Sequence, residues 1–111
     1  MNSIISGSSL AVIIPCLNEE QTIHRVVTEF KSSLPKAEVF VFDNGSDDAT
    51  IEQASKAGAS VYYESKLGKG NVVRRMFADV EADTYLLIDG DGTYSPEEAQ
   101  LLIKKLNEEN L

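Results

Sequence analysis

Asp89 and Asp91 stand one residue apart at the end of the apolar run "YLLID", in the stretch "YLLIDGDGTYSPEE". Two chemistries use an Asp-x-Asp placed this way. In one, the pair holds a divalent metal and, through it, a diphosphate; hard carboxylate oxygens suit Mg²⁺ or Mn²⁺. In the other, the first Asp attacks a phosphate ester and the second serves as acid and base. Asp43 has a similar setting, directly off the apolar run "VFVF" and before "NGSDD". Glu19 and Glu20 follow "VIIPCLN", and Lys69 sits in the Gly-rich "KLGKG". Acids at helix starts are common because the helix dipole favours them. That bland reading covers Glu19, Glu20, Asp47 and Asp48, but not Asp43, Asp89 and Asp91, which come straight off strand ends.

The elements that must position these residues alternate between strand and helix. "LAVIIPC" is a continuous apolar run, as expected of a strand buried on both faces. After it, Asn18 is the expected N-cap of a helix, with Gln21 as its partner three residues on. Ile23, Val26, Val27 and Phe30 recur at helical spacing on one face. "AEVFVFDNGS" gives a second strand. "DDATIEQASKAG" gives a helix with acids in its first turn and Gly58 as its stop. "ASVYYE" is a third strand, with Tyr62 and Tyr63 on opposite faces, and "NVVRRMFADVEA" a third helix. "TYLLID" is the fourth strand. "SPEEAQLLIKKLNEEN" is a helix capped by Ser95, with Pro96 in its first turn. Strands are expected near 10–15, 38–43, 59–63 and 84–89. Four β-α units with short loops predict an α/β domain with a parallel, doubly wound sheet. Ligands in such sheets sit beyond the carboxyl ends of the strands, where all the singled-out acids fall.

Composition narrows the function classes. The chain has 111 residues, enough for one small domain, and 42% of them are hydrophobic. With 18 acidic and 10 basic residues, its formal charge is −8. That argues against a nucleic-acid partner, which needs clustered cations, and against adsorption to anionic lipid. The single Cys16 ends an apolar run and reads as a buried inert thiol in a reducing compartment, the cytoplasm. "MNSIISGSS" lacks the features of a signal peptide and reads as a disordered tail over 1–9. His24 on the first helix, with no Cys or second His nearby, reads as a surface or half-buried residue rather than a metal ligand. Arg74 and Arg75 could reach phosphate, but read by default as a solvated helix face.

Taken in order, "VIIPCLNEEQTI", "VFVFDNGSDDAT", "GKGNVVRR" and "YLLIDGDGTYSPEE" resemble the nucleotide-binding half of family 2 glycosyltransferases. The nearest flavour is that of the polyprenyl- or dolichyl-phosphate sugar transferases. The resemblance runs from residue 10 to about 107. It implies a GT-A fold, whose nucleotide-binding half is Rossmann-like. It also implies transfer of a sugar from a UDP- or GDP-linked donor to an acceptor such as a polyprenyl phosphate, with Mg²⁺ or Mn²⁺. Pro15, Leu17 and Glu19 match the loop that walls the base and ribose, and Asp43 the acid that hydrogen-bonds the base. Lys69 would lie near phosphate, although a lone G-K-G reads equally well as a solvated loop. Asp91 matches the direct metal ligand, and Asp89 a contact to ribose or a bridging water; Gly90 between them leaves room for both. Thr93 stands where some of these transferases have a further ligand, Gln. No acceptor-side base falls within the chain. A lipid-phosphate acceptor would place a longer parent at the inner face of a membrane.

Two rival readings remain at this level. "LLIDGDGT" also matches the first motif of haloacid-dehalogenase-type phosphatases, with Asp89 as nucleophile, but that motif normally follows a first strand rather than a fourth. A non-enzymatic nucleotide-binding module would leave the Asp-x-Asp unused. The chain stops soon after the fourth helix, so the domain over 10–111 is expected to be incomplete at its C-terminus. Its uncovered sheet edge is expected to pair with a second copy.

Overall fold

The computed structural model of the chain describes residues 10–65, 71, 74, 75 and 78–88. The expected tail over 1–9, Lys69, Asp89, Gly90, Asp91 and the expected helix over 95–110 lie outside the described residues. The elements run β1 (Leu10–Cys16), α1 (Ile23–Ser33), β2 (Glu38–Asp43), α2 (Thr50–Lys56), β3 (Ser60–Tyr63) and β4 (Thr84–Leu87). Asn71, Arg74, Arg75, Ala78 and Asp79, between β3 and β4, have helical backbone. The four strands form one sheet of order β3-β2-β1-β4, and every pairing is parallel. The expected α/β doubly wound sheet is therefore present.

The core follows from the period of two along each strand. Val12, Ile14 and Cys16 of β1 and Val39 and Val41 of β2 face α1 and α2, packing on Ile23, Val26, Val27, Phe30 and Ala54. Ala11, Ile13, Phe40 and Phe42 point to the other face, against Val80, Tyr62 and Tyr85. β1 is apolar on both faces because it is covered on both. The four apolar positions expected for the first helix are the buried stripe of α1. Tyr62 stacks on Phe42 with ring centroids 5.1 Å apart, while Tyr63 is exposed.

Pro15 raises a question, since a proline inside a central strand deprives a ladder of a donor. The Asn44 N–H donates to the Cys16 carbonyl, and the Ile88 N–H to the Ile13 carbonyl. Cys16 therefore directs its backbone groups toward β2, and Ile13 directs its own toward β4. Pro15, two residues beyond Ile13, also faces the β4 side, past the last paired residues Ile13 and Leu87. The β1–β2 ladder loses no donor, so the proline is tolerated.

Both helix starts differ from expectation. α1 begins at Ile23 with Thr22 as N-cap and no side-chain cap bond. Asn18 does not cap it: the residue has φ 55, a left-handed conformation that Asn tolerates, and its Oδ1 accepts the Asp47 N–H at 3.0 Å. α2 begins at Thr50, so Asp47 and Asp48 precede it rather than forming its first turn. The expected stop at Gly58 does hold, with φ 99 just after the last helical turn. An alanine Cβ there would come 3.1 Å from Lys31 Cε, a side chain that can move, but the backbone strain would stay. Gly58→Ala should therefore cost about 1–2 kcal/mol in urea unfolding; an unchanged midpoint would show that the backbone relaxes out of the left-handed region.

Candidate functional site

The sequence runs β1→β2→β3 in one direction across the sheet and then returns to place β4 on the other side of β1. The direction of winding thus reverses beside β1, and a crevice opens at such a switch point at the carboxyl ends of the strands. β1 delivers Pro15 and Leu17 to this rim, and β2 delivers Asp43. The Ile88 N–H bonds the Ile13 carbonyl at 2.9 Å, and the sequence continues from there into Asp89.

Asp43 is the most constrained group on the rim. It is fully buried. Its Oδ2 accepts the backbone N–H groups of Gly45 at 3.0 Å and Ser46 at 2.9 Å. Gly45, at φ 106, turns the backbone so that these donors point back at the carboxylate. Oδ1 is buried and has no hydrogen-bond partner among the described residues. An unmatched buried carboxylate oxygen is costly and calls for an explanation, of which a ligand that completes the site is one.

The two loops flanking Asp43 are joined to each other. The Asn18 N–H donates to Ser46 Oγ at 2.8 Å, and the Glu19 N–H to Thr50 Oγ1 at 2.8 Å. Glu20 Oε1 accepts the Ala49 N–H at 3.0 Å. The fully buried Thr50 hydroxyl in turn donates to Asp48 Oδ1, which also accepts the Thr50 N–H at 2.9 Å. Glu19, expected as a ligand wall, is half-buried and joined to the second loop through its backbone; Leu17 is 47% exposed on the rim. Pro15, Leu17, Glu19 and Asp43 thus share one rim.

The Thr50 hydroxyl holds the Asp48 carboxyl below its ordinary value of 3.8. A carboxyl lowered by folding stabilises the fold above its unfolded pKa, and that contribution disappears as pH falls through the folded value. Stability should therefore drop with acid below about pH 3.8, more steeply in wild type than in Asp48→Asn. Parallel acid limbs in chemical denaturation would remove Asp48 from the latch.

Several members of this arrangement had no place in the sequence reading. The Asp-x-Gly-Ser spacing from Asp43 to Ser46 is a turn signature that could have shown the Oδ2 contacts. The latch through Asn18 and Thr50 has no local signal. Arg75 is a correction: it is not simply a solvated cation. It bonds Asp79 and the Tyr63 carbonyl and pairs with Glu64. Its hydrogen bond with Asp79 raises its pKa. Arg75 and Glu64, with Asn71, Arg74 and Ala78, line a cavity of about 210 Å³. His24 is exposed on α1 as expected. Among the described residues no three His, Cys, Asp or Glu side chains gather into a metal site.

Residues 11–111 match the family model described as "Glycosyl transferase family 2". Protein RfbJ of Shigella flexneri is 51% identical over 98 residues, covering 88% of this chain and 76% of RfbJ. Glycosyltransferase AglJ of Haloferax volcanii is 38% identical over 101 residues, covering 90% of this chain but 33% of AglJ. The crystal structure of glucosyl-3-phosphoglycerate synthase from Mycobacterium tuberculosis in complex with Mn²⁺, UDP and glucosyl-3-phosphoglycerate superposes with a TM-score of 0.82 at 29% identity. That likeness covers 91% of this chain and 40% of the synthase. The parallel sheet accordingly matches the nucleotide-binding half of a GT-A fold. With four strand-end segments in order and a model match over nearly its whole length, the chain belongs to glycosyl transferase family 2.

Proposed function

We propose that this chain is the donor-binding part of a glycosyltransferase that moves a sugar from a nucleoside diphosphate sugar to an acceptor, with a divalent metal. The observation that carries this reading is Asp43 Oδ1, a buried carboxylate oxygen without a donor among the described residues, at the carboxyl rim of a doubly wound sheet. A base ring N–H would supply that donor, as a charge-assisted bond. Pro15 and Leu17 would wall the base, and the latched Glu19 loop the ribose. Lys69 would lie near phosphate. Asp91 and Asp89 would hold Mg²⁺ or Mn²⁺, with Gly90 leaving room between them; carboxylate oxygens are the right donors for either ion. When bound, the metal would offset the diphosphate charge and stabilise the departing nucleoside diphosphate. UDP is the favoured nucleotide because the synthase that shares the fold is complexed with it.

A lipid phosphate is the acceptor this reading favours, which would put the domain at the cytoplasmic face of a membrane. No described helix is long and apolar enough to cross one. Among the described residues β3 and β4 form the sheet edges, and the edge of β4 is where a second copy would pair. Use of Asp89 as a phosphatase nucleophile finds no support in the family match or in the relatives.

Calorimetric titration with UDP and GDP, each with and without Mn²⁺, tests the reading. UDP should bind, and more tightly with the metal. No heat with either nucleotide in the presence of Mn²⁺ would overturn it.

A further inference from the structure

Asp43 is held from the side of β3 as well as from its own turn. The Glu64 N–H donates to the Asp43 carbonyl at 2.8 Å, and Asn44 Nδ2 donates to the Glu64 carbonyl at 2.8 Å. Glu64 therefore directs both backbone groups toward β2. In an extended strand the preceding residue faces the other way, so the Tyr63 carbonyl points to the outer edge of β3. β3 has only four residues and lies at the edge of the sheet among the described residues, where an isolated end frays readily.

Arg75 occupies that outer edge. Its Nη1 donates to the Tyr63 carbonyl at 2.6 Å and lies 3.5 Å from Glu64 Oε1, while its Nε bonds Asp79. The Glu64 side chain is only 12% exposed, so its carboxylate depends on charged neighbours in a way that a surface acid does not. One planar guanidinium thus covers an edge carbonyl, neutralises a mostly buried acid, and is itself oriented by a second acid one helical turn away. A guanidinium suits this three-way contact better than an ammonium because its donors lie in a rigid fork.

We propose that Arg75 is a positioning residue of the donor site. By pinning the end of β3 through Tyr63 and Glu64, it fixes the strand against which the Asp43 turn is built, and so fixes the direction of Asp43 Oδ1. Arg75 touches neither nucleotide nor metal in this scheme. The inference rests on the reading of Asp43 as the base-binding acid.

The test compares UDP binding in the presence of Mn²⁺ for wild type, Arg75→Ala, Arg75→Lys and Arg25→Ala. Titrations are run well below each melting temperature, so that unfolding does not enter. Arg25 forms an exposed one-turn pair with Glu29 on α1 and serves as the control for loss of a surface arginine. Arg75→Ala should bind UDP roughly tenfold more weakly, Arg75→Lys should recover part of that, and Arg25→Ala should match wild type. Amide exchange gives a second readout independent of nucleotide: the Glu64 N–H should exchange roughly tenfold faster in Arg75→Ala and no faster in Arg25→Ala. If Arg75→Ala does not fold, Arg75→Lys carries both measurements, with weaker UDP binding and faster exchange expected relative to wild type. Wild-type affinity or unchanged Glu64 exchange in the Arg75 variants would overturn the proposal. Absence of UDP binding by wild type would instead overturn the donor-site reading, and the exchange data would still decide whether Arg75 pins β3.

Discussion

Asp43→Ala should destabilise the domain by about 1–3 kcal/mol in urea unfolding and, where it remains folded, weaken UDP binding by a further 1–3 kcal/mol. The two losses come from different oxygens of one side chain. Oδ2 accepts the Gly45 and Ser46 N–H groups, and removing it strands both donors in a turn that closes over the carboxylate. Oδ1 accepts no hydrogen bond among the described residues, and the loss of its acceptor should be felt chiefly when a ligand donor arrives. Asp43→Asn separates the two. Its amide oxygen can keep the turn, while its NH₂ group would face the ligand where an acceptor stood. Stability should then stay near wild type while affinity falls as far as in the alanine variant. Wild-type UDP affinity in Asp43→Asn would show that this oxygen does not read the base.

The contrast between those two oxygens also shows what a sequence can disclose. Asp43 was legible because a charge lying directly after four apolar strand residues needs a reason, and a rim position at a strand end supplies one. The strands themselves were legible for the same local cause: β1 and β2 are apolar runs of the right length, broken by turn residues. The start of α1 was not, because Asn18 carries a capping signal that is local, whereas its side chain is taken by a loop 29 positions away. The Glu19–Thr50 bond, across 31 positions, is equally silent in sequence. Arg75 was misread for a related reason. Its helix looks solvated on that face, and only the way the chain folds back after β3 brings Arg75 onto the Tyr63 carbonyl and Glu64. Residues that chemistry alone singles out can be found from their types; residues that hold them in place are found only through the topology.

Asp91→Asn should remove the metal dependence of UDP binding, a loss of about 2 kcal/mol or more, roughly thirtyfold, when Mn²⁺ is present. The expectation starts from charge. A chain of formal charge −8 repels a nucleoside diphosphate, and the sequence after β4 adds two further acids, Asp89 and Asp91. Two carboxylates at a donor site would oppose a diphosphate unless a divalent cation lay between; with the cation, the same carboxylates would become its ligands. Wild type should therefore bind UDP poorly in chelator and well in Mn²⁺. Asp91→Asn should bind poorly in both, and Asp89→Asn should keep part of the metal effect because its expected contact is to ribose or to a bridging water. Equal metal enhancement in Asp91→Asn and wild type would exclude Asp91 as a ligand. Hydrolysis of small phosphate esters by wild type, lost in Asp89→Asn, would reassign the pair to nucleophilic chemistry, since a metal-and-diphosphate site gives Asp89 no bond to phosphorus to make.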